Sequence, residues 1–327
     1  MLYRLLGKTN FNISEISLGT WQVGGKWGSP FDATNADTIL KTAIDNGINF
    51  IDTADVYSGG LSEKAVGKAV SAYSQKIYIA TKCGRKFQPH TDASYTLTAL
   101  RKSVEDSLQN IGVDHIDLIQ LHCPPWETYY RPEVFDLFDR LKSEGKIGAL
   151  GVSVEKVEQA IKAMEYDNVA SIQIIFNMFR QRPSELFFDL AKQNNVGIIV
   201  RVPLASGLLS GTYSVETTFG ADDHRTFNRN GEAFDKGETF AGIDYQKGLE
   251  AVQVLKEHFG ETNLALLAIK WVLTYDAVSC VIPGASSPSQ VQHNLLAADL
   301  QEISEGDKRF IRTVYEQYVK KEVHQIW

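Results

Sequence analysis

The sequence predicts an α/β protein, a (β/α)8 TIM barrel with an N-terminal β-hairpin, as a single domain over residues 1–327. Short apolar runs alternate with longer amphipathic segments, and this alternation repeats as an eightfold barrel requires. Several runs end on a residue with reactive chemistry, which is how parallel barrel strands deliver functional side chains. A hydrophobic fraction of 43% supplies a large core.

The first half of the chain supplies the hairpin and four barrel strands. Apolar runs flank the Gly7–Asn10 turn, which predicts the hairpin. Gly47 stands where a helix C-cap glycine belongs, and Ser62 is a candidate N-cap. The Pro124-Pro125 pair stops regular structure after strand four. The predicted strands are 16–20, 50–52, 77–82 and 117–122, and the predicted helices are 33–46, 63–73, 96–111 and 131–144.

The second half continues the alternation with one interruption. The predicted strands are 149–153, 171–176, 197–202 and 278–282, and the helices are 157–166, 185–194, 265–273 and one that opens at Ser287-Pro288-Ser289. The interruption is 213–242, which is long, polar and rich in glycine. Such segments in compact domains are functional lids or disordered insertions, and both interpretations are open here.

Composition and charge exclude several classes of protein. The net charge of −7 and the pI near 5.6 argue against a nucleic-acid or anionic-membrane surface. No apolar run approaches a membrane span, and residues 1–8 lack the apolar core of a signal peptide. Cys83, Cys123 and Cys280 form no CxxC pair, so a cytoplasmic setting without a metal site is expected. The oligomeric state is not readable.

Four residues at the ends of strands two to four predict a reactive site. An ammonium lowers the pKa of a nearby phenol, and a carboxylate keeps a buried ammonium charged. Asp52, Lys82 and Tyr57 therefore predict a proton-donating relay, and His122 could hydrogen-bond a carbonyl oxygen. Because no side chain supplies hydride, a redox reaction here requires a nicotinamide. Each residue alone has an ordinary structural explanation; their joint occurrence on three consecutive strands favours a site.

Two segments predict an anion-binding region. The loops after strands seven and eight are the usual phosphate site of such barrels. The loop from Leu204 to Gly211 is rich in small residues, and Ser287 with Pro288 reads as an N-cap and first-turn proline. Helix N-termini favour phosphate. An ordinary turn and helix cap remains the alternative.

Seven motifs together resemble one family. They are 52–57 (DTADVY), 81–82 (TK), 121–122 (LH), 151–153 (GVS), 171–173 (SIQ), 203–211 (PLASGLLSG) and 282–285 (IPGA). With them the whole chain resembles the aldo-keto reductase superfamily, and its Pro-Leu-x-x-Gly-Leu-Leu-x-Gly loop is similar to the bacterial general stress and sugar dehydrogenase-like branch.

The resemblance implies a role for each matching residue. Asp52, Tyr57, Lys82 and His122 would be the catalytic tetrad, with Tyr57 as general acid. Ser153 and Gln173 would hold the nicotinamide carboxamide. Further cofactor contacts are implied at Arg201, Pro203, Leu204, Ser206, Gly207, Leu209, Gly211, Gly284, Ser286, Gln290 and Asn294.

Some positions depart from the commoner family pattern. Val154 replaces an Asn that helps to hold the carboxamide, and Arg201 replaces a Tyr that stacks on the nicotinamide; a guanidinium can also stack on a planar ring. Ser286 and Gln290 stand where basic residues often grip the 2′-phosphate of NADP. Family habit favours NADP(H), and NAD(H) is possible.

The leading hypothesis is an oxidoreductase that transfers hydride reversibly to or from a small aldehyde, ketone or sugar. A Schiff-base lyase with Lys82 as nucleophile is one alternative, although the pairing with Asp52 argues against it. A cofactor-binding regulatory subunit with little turnover is another. Trp21 and Trp126 are candidate substrate contacts, with core packing as the other explanation; Trp27 and the Tyr129-Tyr130 pair could also line the pocket.

Overall fold

The computed structural model describes residues 1–25 and 30–327, and these residues form a closed barrel with a hairpin. The antiparallel hairpin consists of β1 (Tyr3–Leu5) and β2 (Asn12–Ser14). Eight parallel strands then pair in chain order, namely β3 (Leu18–Gly19), β4 (Phe50–Asp52), β5 (Tyr78–Cys83), β6 (Ile116–His122), β7 (Ile147–Ser153), β8 (Val169–Ile175), β9 (Gly197–Arg201) and β10 (Val278–Val281).

The barrel closes between its first and last strands. The Ser17 N–H donates to the Val281 carbonyl at 2.9 Å, and the Gly19 N–H donates to the Pro283 carbonyl at 3.2 Å. These bonds join β3 to β10, which are the two ends of the eight-stranded sheet. The prediction of a (β/α)8 TIM barrel with a hairpin is confirmed.

The helices surround the barrel. They are α1 (Ala33–Asp45), α2 (Leu61–Val70), α3 (Leu97–Ile111), α4 (Pro132–Ser143), α5 (Val157–Ala163), α6 (Phe187–Gln193), α7 (His224–Phe227), α8 (Tyr245–Phe259), α9 (Leu264–Leu273), α10 (Pro288–Leu295), α11 (Glu305–Val314) and α12 (Lys320–Val323), with a π-helical turn over Tyr315–Val319. None of the helices in the described part of the chain is both long and apolar enough to cross a bilayer.

One local prediction needs correction, and four helices were not predicted. Ser62 is not the N-cap of α2, because that helix already begins at Leu61 and Gly60 precedes it in a left-handed conformation. The Ser62 hydroxyl instead lies 2.8 Å from Thr20 Oγ1 and 2.9 Å from Thr53 Oγ1 in the interior. The helices α7, α8, α11 and α12 were not predicted.

The hairpin covers the end of the barrel at which the strands begin. Leu6 and Ile13 are fully buried in one cluster with residues from successive strands, including Phe50, Leu118 and Ile199. A barrel interior filled by side chains is a packed core rather than a channel. Access is therefore left to the opposite end, where the strands finish.

The segment 213–242 is packed onto that open end. Asn228 is fully buried, and its Oδ1 accepts hydrogen bonds from the backbone N–H groups of Ala233 at 2.8 Å and Phe234 at 2.9 Å. The Trp327 indole N–H donates to Asp235 Oδ1 at 2.7 Å. Of the two interpretations of this segment, the lid agrees with the structure and the disordered insertion does not.

Candidate active site

The carboxyl ends of neighbouring strands bring the predicted tetrad together. Asp52 is the last residue of β4, Lys82 lies one residue before the end of β5, and His122 ends β6. Tyr57 comes from the loop after β4, where Ser58, Gly59 and Gly60 all have positive φ and reverse the chain. Because parallel strands in register end at one edge, residues far apart in sequence meet at one mouth.

A buried network links three of the four residues. Lys82 Nζ forms an ion pair with Asp52 Oδ1, donates to the Thr53 carbonyl at 2.8 Å, and lies 3.3 Å from Tyr57 Oη. Asp52 Oδ2 accepts from Gln120 Nε2 at 2.9 Å and from Gln173 Nε2 at 2.8 Å. A buried ion pair stays charged only when its remaining polar atoms are satisfied, and these bonds do so.

Burial and neighbouring charges set the protonation states. Burial raises the pKa of Tyr57 above its ordinary value, and the opposing effect of Lys82 only partly offsets it. Burial lowers the pKa of Lys82, but Asp52 and Tyr57 together outweigh burial and the net pKa is raised. Burial and then the Lys82 and Arg85 cations hold the pKa of His122 well below its usual range. At neutral pH the site therefore holds a neutral phenol, an ammonium and a neutral imidazole.

His122 stands beside the phenol with an unused nitrogen. Its ring meets the Tyr57 ring edge-on, with 6.2 Å between ring centroids. Its Nδ1 atom is buried and makes no hydrogen bond within the described residues. A neutral imidazole with a free nitrogen can still position a polar ligand atom.

A long cavity of about 940 Å³ runs from the tetrad to the loops after β9 and β10. Asp52, Tyr57 and His122 line one end, whereas Lys82 is fully buried behind the phenol. Ser286 and Gln290 line the other end. A cleft of this size and shape suits a ligand longer than a simple carbonyl compound.

The middle of the cavity is built from backbone. After β9, Ala205, Ser206 and Gly207 have φ values of 47°, 57° and 90°. Successive left-handed residues turn backbone N–H groups toward a common concavity that attracts anions. At α10, Ser287 Oγ accepts from the Gln290 N–H at 3.3 Å, which caps a helix N-terminus at the same cavity.

These features fit a nicotinamide dinucleotide. The cavity joins the phenol at one end to two anion-favouring backbone positions further along, as a diphosphate between two nucleosides requires. Gln173 lines the cavity, and because its amide nitrogen is used by Asp52, its oxygen is the atom left for a ligand. Ser153 Oγ lies 3.5 Å from that oxygen.

Most of the predicted cofactor residues line this cavity, and three do not. Ser153 and Leu209 are buried behind the wall, and Gly211 faces Leu264 and Lys256 outside it. The lining members of the predicted set are Gln173, Arg201, Pro203, Leu204, Ser206, Gly207, Gly284, Ser286, Gln290 and Asn294.

The predicted aromatic contacts divide in the same way. Trp21 lines the cavity, and its ring stacks on Tyr57 with 6.2 Å between centroids. Trp126 does not line it, because the indole is 41% exposed and packs against Tyr129 and Tyr130 instead. Trp27 lies outside the described residues.

Sequence reasoning missed several cavity residues. Arg85 follows Lys82 in the loop after β5, and His224, Phe234 and Glu238 come from the segment 213–242. Glu238 Oε2 lies 2.6 Å from Arg201 Nη1, so the segment is tied to the end of β9 by a buried ion pair. The charged run Asp222–Arg225 was the one sequence signal that this segment contributes residues to a site.

The fold and the site together define a class, the β/α barrels with a tyrosine–lysine pair beside a dinucleotide-sized cleft. A model of the aldo/keto reductase family matches residues 15–316. The chain belongs to the aldo/keto reductase family, which makes it an oxidoreductase of a group that uses nicotinamide cofactors. The resemblance seen in the sequence is thereby confirmed.

Individual relatives agree over nearly full length. The chain is 30% identical to an NADH-specific methylglyoxal reductase of Escherichia coli over 328 residues, covering 95% of this chain and 97% of the relative. The holo form of aldo-keto reductase AKR11C1 from Bacillus halodurans superimposes with a TM-score of 0.78 at 28% identity, covering 97% and 99%. The glycerol dehydrogenase AKR11B4 from Gluconobacter oxydans gives 0.77 at 31% identity, covering 97% and 96%.

Proposed function

We propose that the protein reversibly reduces a small aldehyde, ketone or sugar with a nicotinamide cofactor, and that Tyr57 is the general acid. The observation that carries this proposal is the 3.3 Å approach of Tyr57 Oη to Lys82 Nζ, at the mouth of a dinucleotide-sized cavity. Family membership and the reductase and dehydrogenase relatives support the reaction class.

The proposed mechanism assigns one task to each tetrad residue. Tyr57 holds a proton at Oη and donates it to the carbonyl oxygen. Lys82 stabilises the resulting phenolate, and Asp52 keeps Lys82 charged and in place. His122, neutral because of burial and nearby cations, orients the carbonyl oxygen through a ring nitrogen. When bound, the nicotinamide supplies the hydride.

The cofactor would be held along the cavity wall. Gln173 and Arg201 would contact the nicotinamide end, and the left-handed turn at Ser206 and Gly207 would contact the diphosphate together with the N-terminus of α10. Arg201 is fixed for this by bonds to the Val154 carbonyl at 2.9 Å and to Glu238.

The end of the cavity at Ser286 and Gln290 bears on the choice between NADP(H) and NAD(H). Gln290 Oε1 accepts from the Ser286 N–H at 2.7 Å and from Ser286 Oγ at 3.1 Å. The cavity-lining residues of the loop after β10 and of α10 include no lysine or arginine; they are Ile282, Pro283, Gly284, Ser286, Gln290, His293 and Asn294. A 2′-phosphate needs a cation, so against the family habit of NADP(H) we propose that NAD(H) serves at least as well.

The test is a coupled absorbance assay of purified protein with a panel of sugars and small aldehydes, run with NADH and NADPH. We expect cofactor oxidation that depends on the carbonyl compound, with a KM for NADH no higher than that for NADPH. A lower KM for NADPH would overturn the NAD(H) proposal. Tight nucleotide binding without turnover would indicate a regulatory subunit. Borohydride trapping of substrate on Lys82 without cofactor would indicate a lyase.

A further inference from the structure

Charged groups that line the cavity are mostly paired with one another. Glu238 is paired with Arg201 at 2.6 Å and Asp223 with Arg225, and all four residues line the cavity. Asp52 also lines it and is paired with Lys82, which lies behind the wall. In each pair the positive and the negative charge cancel one another. Arg85 is the one cation among the described lining residues whose carboxylate partner, Glu155, does not line the cavity.

Arg85 keeps much of its donor capacity available. Within the described residues its one hydrogen bond runs from Nη1 to Glu155 Oε1 at 3.2 Å. A guanidinium carries five N–H donors in a planar fork, so most of them remain for a ligand. The side chain is about one-fifth exposed, at 22%, which places it at a surface that a ligand can reach.

Glu155 is the carboxylate that pairs with Arg85, at 3.2 Å. Burial, and then repulsion from Asp235 and Glu238, raises the pKa of its carboxyl above the ordinary range. Arg85, by contrast, keeps its full charge near neutral pH. Glu238 also attracts Arg85, but its carboxylate is bound to Arg201, so Arg85 stays a charged group with free N–H donors at the cavity wall.

Arg85 also lies close to the reacting end. It stands three residues after Lys82 on the same strand and loop, and its charge is one of those that lower the pKa of His122. A substrate whose carbonyl lies between Tyr57 and His122 would thus bring its next few atoms toward the guanidinium. The distal phosphate region near Ser206 and Ser286 is a different part of the cavity.

We propose that Arg85 binds an anionic substituent, a carboxylate or a phosphate, carried by the carbonyl substrate, and so selects acidic aldehydes and ketones over neutral ones. This inference rests on the proposed function and narrows its substrate class. A planar guanidinium matches both carboxylate and phosphate oxygens, and charge-assisted hydrogen bonds are the stronger kind.

The kinetic test compares matched pairs of substrates. One pair is 4-oxobutanoate and its methyl ester, and the other is glyceraldehyde 3-phosphate and glyceraldehyde, so that the two arms separate carboxylate from phosphate. We expect kcat/KM to favour the anionic member of at least one pair by about tenfold or more. We call the kcat/KM of the anionic member divided by that of the neutral member the preference ratio. In Arg85→Gln this ratio should fall toward one, and Arg85→Lys should retain part of the preference.

Two further variants separate recognition from folding. Arg101→Gln removes a surface guanidinium that pairs with Glu144 far from the cavity, and it should leave the preference ratio unchanged. Glu155→Gln should raise the preference for the anionic substrate, because it frees Arg85. A purely structural role for Arg85 would lower kcat/KM for both members of a pair by the same factor and would overturn the proposal.

A binding measurement keeps the two proposals distinguishable. Calorimetry would compare 4-hydroxybutanoate with 4-hydroxybutanamide on protein saturated with oxidised cofactor. We expect the acid to bind about tenfold more tightly, and Arg85→Gln to remove the difference. Equal binding of acid and amide, or a wild-type preference for the neutral substrates, would overturn the Arg85 inference. Arg85-dependent binding without turnover of any of the four carbonyls would overturn the proposed function alone.

Discussion

At the level of single residues, the site depends on how burial shifts the pKa of acidic and of basic side chains in opposite directions. Burial raises the pKa of Tyr57 and lowers that of His122, so both are neutral at physiological pH. Burial alone would also lower the pKa of Lys82, but the ion pair with Asp52 opposes that effect. A neutral phenol with a neighbouring ammonium is a donor whose conjugate base is already stabilised, which is what general-acid catalysis requires.

Asp55, two residues before the phenol, carries a buried charge that the proposed reaction does not use. Its Oδ1 makes no hydrogen bond within the described residues, while Oδ2 accepts from Ser103 Oγ at 3.1 Å and lies 3.4 Å from Lys86 Nζ. Burial raises the pKa of the Asp55 carboxyl to about 6. The folded protein therefore binds this proton more tightly than the unfolded chain does, and the associated stability is lost as pH rises from about 4 to about 6.

Asp55→Asn should consequently stabilise the protein at pH 7 to 8. The gain in the free energy of unfolding is expected to be at most about 3 kcal/mol, from 1.36 kcal/mol per pKa unit, and to vanish below about pH 4. Denaturant titrations across this pH range measure it. Asp139→Asn, an exposed change on α4, serves as the control and should have little effect. A gain that does not depend on pH would show that the carboxyl charge is not the cause.

The sequence was sufficient for the tetrad residues because each follows a recognisable strand, and strand ends are where a barrel places its chemistry. It was insufficient for Arg85 and Glu238. Both stand in irregular segments, and their positions at the cavity depend on how the chain folds back, which no local pattern encodes. Trp126 shows the converse, since its nearness to His122 in sequence predicted a pocket contact that the structure does not show.

At the level of elements, the turn after β9 is the least ordinary piece of backbone. Val202, Ala205 and Ser206 all have positive φ although none is glycine. Such conformations cost about 1–3 kcal/mol each and persist where the surroundings enforce them, most often at ligand sites. Gly207 completes the turn with a φ of 90°, and a Cβ there would lie 2.2 Å from Tyr213 Oη.

Gly207→Ala should therefore weaken cofactor binding by displacing Tyr213 and straining the turn. We expect the Kd for NADH or NADPH, measured by fluorescence titration, to rise about tenfold or more, as a loss near 1.4 kcal/mol gives. Gly112→Ala is the matched control, because Gly112 has a φ of 77° at the end of α3 with open space around it. Equal Kd values for the two variants would contradict a cofactor role for the β9 turn.

Element boundaries show why some local predictions failed. Ser62 looked like an N-cap by composition, but left-handed Gly60 already turns the chain into α2 and the hydroxyl is drawn inward to Thr20 and Thr53. The helix α8 was not predicted, because it follows directly on the polar, glycine-rich segment 213–242. Asp244, which accepts from the Lys247 N–H at 3.2 Å, was the N-cap signal that could have marked its start.

At the level of the whole molecule, Trp327 couples distant parts of the chain. Its indole N–H donates to Asp235 at 2.7 Å, the Arg180 guanidinium lies 4.5 Å from its ring centroid, and a Cβ at Gly242 would lie 2.4 Å from it. The segment 213–242 that it contacts also carries Glu238, the partner of Arg201 at the cavity. Contacts across 92 residues of sequence are set by the tertiary fold, so no local pattern predicted this one.

Trp327→Ala should loosen the segment 213–242 as well as destabilise the protein. Deleting a buried tryptophan costs about 3–5 kcal/mol of unfolding free energy. We also expect weaker cofactor and substrate binding under conditions where the variant is folded. Trp327→Phe keeps a ring for Arg180 and loses only the indole hydrogen bond, so it should lie between wild type and Trp327→Ala. Denaturant titration and a cofactor Kd measure both effects, and an unchanged Kd in folded Trp327→Ala would refute the coupling.

The most direct test of the central proposal, that Tyr57 donates the proton beside Lys82, is the kinetics of Tyr57→Phe measured together with its cofactor Kd. The substitution removes only the Oη atom that lies 3.3 Å from Lys82 Nζ. We expect kcat/KM for carbonyl reduction to fall about 100-fold to 10,000-fold, the usual range for a lost general acid. The Kd for the cofactor should stay within about twofold of wild type, a change of about 0.4 kcal/mol or less. Undiminished turnover in a variant that still binds cofactor would contradict the proposed role of Tyr57.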